Sequence, residues 1–171
     1  MRTFFGLAAP LMALFVMGAA AGPAAADPDL AGARAFVRNL YSHYPTPADG
    51  EPFYPAGPAA PRVFDPSLVE IIRQGQRHSG GTVWPGLDAD PLCDCQDDEG
   101  MTSTLMSVRA TGQGRAIARV LVRFGRESHV VRLDLVAVGR EWRVRDVVSR
   151  GTSWRQVLEE ANHAGPAGRP G

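Results

Sequence analysis

Between residues 104 and 149 apolar and polar positions alternate in blocks, and the blocks are separated by Gly112-Gln113-Gly114, Gly125-Arg126-Glu127 and Gly139-Arg140. A period of two broken by glycine-containing turns predicts a meander of four antiparallel strands. One face reads Ala116, Ala118, Val120, Val122 and Phe124, continues through Val131, Leu133, Leu135 and Ala137, and ends on Trp142, Val144 and Val148. Arg115, Arg119, Arg123, Arg132, Asp134, Arg143 and Arg145 fall on the other. By the same alternation Asp146 lies on the apolar face, among side chains that should be buried.

The first half of the chain follows a different period. After Asp27-Pro28, which offers an N-cap followed by proline at the first helical position, Leu30, Ala33, Val37, Leu40, Tyr41 and Tyr44 recur at helical spacing until Pro45. Residues 45–62 hold six prolines and little periodicity, so an extended surface connection is expected, with Phe53 and Tyr54 tucked against the body. Asp65-Pro66 repeats the cap signal before Leu68, Val69, Ile71 and Ile72, predicting a short second helix that stops by Gly75 or by Gly80-Gly81. Ser153-Trp154-Arg155-Gln156 has the form of a capping box and opens a closing helix through Val157, Leu158 and Ala161. The expected fold is α+β: N-terminal helices packed on a curved four-stranded antiparallel sheet, with a short C-terminal helix.

The chain has 171 residues, enough for one domain with a real core. Its start reads as a secretory signal peptide: Arg2, an apolar run from Phe4 to Val16, then small residues up to Ala24-Ala25-Ala26. That run is shorter than the roughly 20 apolar residues of a membrane span. The expected division is a signal peptide over 1–26, one domain over 27–164 and a frayed tail over 165–171. The mature chain is then exported, to the periplasm or the extracellular space, without a membrane span and in a compartment that permits disulfides.

Charge sums to zero, but its distribution is uneven. Residues 86–100, "GLDADPLCDCQDDEG", hold both cysteines of the chain and six acids with no base, whereas residues 101–150 hold ten arginines and four acids. Three uses of the cysteines compete. A Cys93–Cys95 disulfide closes so short a loop that chain entropy contributes only about 1.6 kcal/mol, and it requires a turned Cys-Asp-Cys. An intermolecular or conditional thiol pair is the second, and metal or redox chemistry the third. Redox activity lacks a Cys-x-x-Cys, and the flanking acids raise a thiol's pKa. Against the calcium-loop pattern Asp88, Asp90 and Glu99 fall at positions one, three and twelve, but Leu92 and Cys93 occupy five and six and no helices flank the segment. Zinc needs two further ligands, and His43, His78, His129 and His163 show no ligand pairing. No metal or cofactor is therefore expected.

The segments Ala33-Arg34-Ala35-Phe36-Val37-Arg38-Asn39-Leu40-Tyr41, Phe64-Asp65-Pro66-Ser67-Leu68, Asp88 through Asp97, and Glu141-Trp142-Arg143-Val144-Arg145-Asp146-Val147 resemble the bacterial family known as domain of unknown function 3828. The resemblance spans most of residues 30–160, and its most specific part is the acidic loop ending in Cys-Gln-Asp. It implies the nuclear transport factor 2-like, cystatin-like cone, in which a curved sheet wraps a helix and leaves a pocket. It brings no activity, because that fold hosts enzymes, binders and scaffolds alike.

The arginine row lacks interleaved aromatic residues for base stacking, and an exported chain does not meet nucleic acid. The expected function is a non-catalytic binding or accessory module for a protein or a small molecule. Its contact surface is the acidic loop, through Asp90, Asp94, Gln96 and Asp97, or a pocket on the sheet. The alternatives are a cone-fold enzyme with Asp146 as general base, and an inhibitor or immunity-type protein that plugs an envelope enzyme with residues 86–100.

Overall fold

The computed structural model describes residues 29–44, 55–79, 86–112 and 114–165. The proposed signal peptide, the cap at Asp27-Pro28, Phe53, Tyr54 and residues 166–171 lie outside them. Helix α1 spans Leu30–Tyr41, and its N-cap is Asp29, whose carboxylate accepts from the Ala31 amide at 2.9 Å. Ala33, Val37, Leu40 and Tyr41 form its buried stripe, as the spacing requires. The helix closes at Ser42, earlier than Pro45, with the Ser42 amide bonded to the Arg38 and Asn39 carbonyls.

Part of the segment expected to be extended is helical: α2 covers Ala60–Val63. Helix α3, Pro66–Ser79, is longer than a short helix: it runs through a buried Gly75, the earlier expected stop, and ends just before Gly80-Gly81, the later one. Tertiary packing outweighs the cost of about 1 kcal/mol that glycine imposes on a helix interior. Asp65 caps α3 by accepting from the Leu68 amide at 2.9 Å. Helix α4, Trp154–Ala164, starts at Ser153, whose hydroxyl accepts from the Gln156 amide, the Ser half of the expected box.

The sheet has five strands rather than four: β1 Met101–Gly112, β2 Arg115–Phe124, β3 Glu127–Val138, β4 Glu141–Ser149 and β5 Thr152–Ser153, in that order and antiparallel throughout. The extra strand is two residues long and follows a tight turn at Arg150-Gly151, where both residues have positive φ. Three helices precede the sheet in the chain and one follows it. Ala116, Ala118, Val120, Val122, Val131, Leu133 and Leu135 are buried as the alternation demands, beneath α1 and against Phe64, Leu92 and Leu158.

One position breaks the alternation. Asp134 pairs with Asp146 but Leu135 pairs with Val144, so Arg145 is an inserted residue. Such a bulge moves every later side chain to the opposite face. Val147 is therefore the buried residue, and Asp146 and Val148, expected on the apolar face, share the other face with Asp134 and Arg132.

Candidate functional site

The acidic loop lies between α3 and the sheet, and its apolar residues bind it to the body. Leu87, Pro91, Leu92 and Cys93 are buried, whereas Asp88, Asp94, Gln96, Asp97 and Glu99 are exposed. At its start Gly86 lies against α4 with φ +83, where an added Cβ would stand 3.1 Å from Leu158 and 3.2 Å from Val157. Trp154 donates its indole N–H to the Gly86 carbonyl. Further along, the Tyr41 hydroxyl donates to the Leu92 carbonyl at 2.6 Å, and a His129 ring N–H donates to the Cys93 carbonyl at 2.9 Å. The interior of the loop is thus hydrogen-bonded to α1, β3 and α4.

Asp90 and Cys95 form a short antiparallel bridge, Asp90 N–H to Cys95 O at 2.8 Å and Cys95 N–H to Asp90 O at 3.3 Å. Between these residues Cys93 and Cys95 form a close pair with Cα atoms 5.2 Å apart and sulfurs at bonding distance. The turn that allows this is made at Asp94, which has φ +53. Asp94 is held there by Ser149, whose hydroxyl donates at 3.0 Å, and by an ion pair with Arg150 at 3.1 Å. Arg150 itself has φ +49, so the two non-glycine residues with positive φ among the described residues are partners.

Of the four residues expected to form the contact surface, Asp94, Gln96 and Asp97 face solvent. Asp90 is turned inward. Its carboxylate accepts from the Leu92 amide at 2.8 Å and from the Tyr44 hydroxyl. Burial lifts this carboxyl from its ordinary 3.8 to about 6, against the lowering effect of those two hydrogen bonds, and Asp98 adds to the rise. Burial and the nearby Asp90 charge push the hydroxyls of Tyr44 and Tyr41 well above the usual tyrosine range, so both remain neutral donors.

Asp146, the candidate general base, receives a hydrogen bond from the Ser153 hydroxyl at 2.7 Å and from the Arg155 amide at 3.0 Å. It caps α4 from the neighbouring strand. A small pocket of about 190 Å³ lies between α1 and strands β1 and β2, lined by Val37, Arg38, Tyr41, Ser42, Ser103, Leu105 and Val120. Neither Asp146 nor Asp90 lines it. Among the described residues no group of three or more histidine, cysteine, aspartate or glutamate side chains is arranged to hold a metal ion. No described helix is long and apolar enough to cross a membrane.

Sequence reading missed Tyr41, Tyr44, His129 and Arg150 as parts of the site. Tyr41 and Tyr44 read as apolar helix positions, and only their hydroxyl tips reach the loop. Arg150-Gly151 carried a turn signal at glycine, but nothing local pointed to Asp94 as the arginine's partner.

The geometry defines an α+β protein in which a meander sheet supports a stapled acidic rim. No protein-family model matches the chain. It is similar to the uncharacterized protein YqhG of Escherichia coli (strain K12), 26% identical over 155 residues, an alignment that covers 89% of this chain and 50% of that protein. The chain thus spans about half the length of the curated relative it matches. Among solved structures it is similar to the type VI effector–immunity complex Tae3–Tai3 from Ralstonia pickettii, with TM-score 0.42, 19% identity and coverage of 72% of this chain and 96% of that one. A phospholipid-binding protein from Ralstonia solanacearum, solved with a phospholipid, gives TM-score 0.38, 16% identity and coverage of 82% of this chain and 80% of that one.

Proposed function

We propose that the protein is an exported, non-catalytic binding or accessory module whose contact surface is the rim formed by residues 86–100. The observation that carries this reading is the Asp94–Arg150 pair, in which two exposed left-handed residues hold each other across the junction of loop and sheet. Backbone outliers of this kind cost about 1–3 kcal/mol each and concentrate at binding and switch regions. The surrounding anchors fix the loop before any partner arrives, so little conformational entropy is lost on binding. Asp88, Gln96, Asp97 and Glu99 are left to meet a partner protein with a basic surface. Export is supported by the N-terminal pattern and by the close cysteine pair.

Affinity capture from the envelope of the source cell, with wild type and with Asp97→Arg/Glu99→Arg, tests the reading. The expected result is one partner whose retention falls about tenfold on charge reversal and weakens with salt, since rim charges govern encounter. Equal retention by both proteins, with matched thermal unfolding, overturns it. If the captured partner is an envelope enzyme, inhibition of that enzyme by wild type alone assigns the rim an inhibitor or immunity-type role.

A further inference from the structure

The pocket beneath α1 has a chemistry distinct from that of the rim. Val37 and Val120 are buried in its lining, with Leu105 and the Tyr41 ring beside them, while most of its exposed lining is polar. Its polar groups are Arg38, Ser42 and Ser103. The Tyr41 hydroxyl is directed away, to the Leu92 carbonyl, and the Ser42 hydroxyl donates to the Asn39 carbonyl. Among the described residues neither Arg38 nor the Ser103 hydroxyl has a side-chain partner, so one guanidinium and one hydroxyl donor remain for a guest.

The sign of that guest is set by Arg38, the one charged residue of the lining, since Arg115, Arg119 and Arg123 of β2 lie on the opposite sheet face. Asp90, bonded to Tyr44, does not line the pocket. At about 190 Å³ the pocket is smaller than the roughly 300 Å³ at which drug-sized sites begin, so it suits a small guest.

We infer that the pocket between α1 and strands β1–β2 binds a small monocarboxylate with a short apolar body. The carboxylate meets the Arg38 guanidinium, whose paired N–H groups match its two oxygens, and the Ser103 hydroxyl. The body lies on Val37, Tyr41, Leu105 and Val120. This inference does not depend on a protein partner at the rim, because it uses other residues and another class of ligand.

Titration of the methyl-labelled full chain with benzoate and hexanoate, followed by NMR, tests it. The expected result is saturable shifts at the methyl groups of Val37, Leu105 and Val120, at least tenfold weaker binding of benzamide, and at least tenfold weaker benzoate binding by Arg38→Met. Ser103→Ala is expected to weaken benzoate by a smaller factor, and Arg115→Met, on the opposite sheet face, to leave it unchanged. Leu105→Trp, which fills the space, abolishes the shifts while the rest of the spectrum keeps its dispersion. Benzamide binding as tightly as benzoate, Arg38→Met binding like wild type, inorganic phosphate binding as tightly as either acid, or shifts spread over the surface overturns the inference.

Discussion

Asp90 concentrates the residue-scale energetics of the site. Its folded pKa, about 6, lies above the ordinary 3.8, so the folded chain holds this proton more tightly than the unfolded chain does. Its stabilising contribution is fully present below pH 3.8 and is lost as pH rises through about 6. The full difference is on the order of 3 kcal/mol. Urea unfolding of wild type and Asp90→Asn between pH 4 and pH 7.5 is expected to show this dependence in wild type and a flatter profile in the variant; parallel profiles would remove Asp90 from the account. Tyr41→Phe leaves the buried Leu92 carbonyl without its donor and is expected to cost about 1–3 kcal/mol in the same assay.

At the scale of elements, the start of α4 depends on groups brought from far along the chain. Arg155 donates to the Arg145 carbonyl at 3.0 Å, to Asp65 at 3.1 Å and to the Ser67 hydroxyl at 2.8 Å, which ties α4 to β4 and to the cap of α3. Arg155→Met leaves the buried Asp65 without its counter-ion and is expected to destabilise by about 3 kcal/mol, read from the shift of the denaturation midpoint at unchanged slope. Asp146→Ala removes a cap and is expected to cost about 1 kcal/mol, whereas Asp146→Asn, which keeps an acceptor oxygen, costs a fraction of that. The caps at Asp65 and Ser153 were legible in the sequence because a cap is a local pattern. The β4 bulge was not, since an inserted residue shows itself only when the neighbouring strand declares the register.

At the scale of the molecule, the opposed charges of the loop and the sheet segment do not merge into one neutral face. Asp94 pairs with Arg150, while Arg132 pairs with Asp134 and Arg143 with Glu141, within their own strands. The rim therefore keeps Asp88, Asp97 and Glu99 exposed, and the pocket under α1 keeps Arg38 as its one charged lining residue. The cysteine pair tests compartment and staple together. Alkylation of the protein isolated from its source cell under native conditions is expected to label no thiol, and after reduction to label both Cys93 and Cys95. Because the ring is so short, Cys93→Ser/Cys95→Ser is expected to lower stability by no more than about 1.6 kcal/mol, so a larger loss would mean that the staple organises more than its own turn.

By itself the sequence determined what depends on local period and local chemistry. Alternation placed Ala116 through Leu135 on one buried face, helical spacing set the stripe of α1, and Asp65 and Ser153 announced their helices. Only the tertiary structure decided the rest: the insertion at Arg145 that moves Asp146 off the apolar face, the fifth strand beyond Arg150-Gly151, the inward turn of Asp90 towards Tyr44, and the meeting of Asp94 with Arg150. The physical reason is range. Periodicity and capping act over a few residues, whereas strand register, burial of a carboxylate and the choice of an ion-pair partner are settled between segments far apart in the chain, where packing of the core fixes which polar groups come within reach.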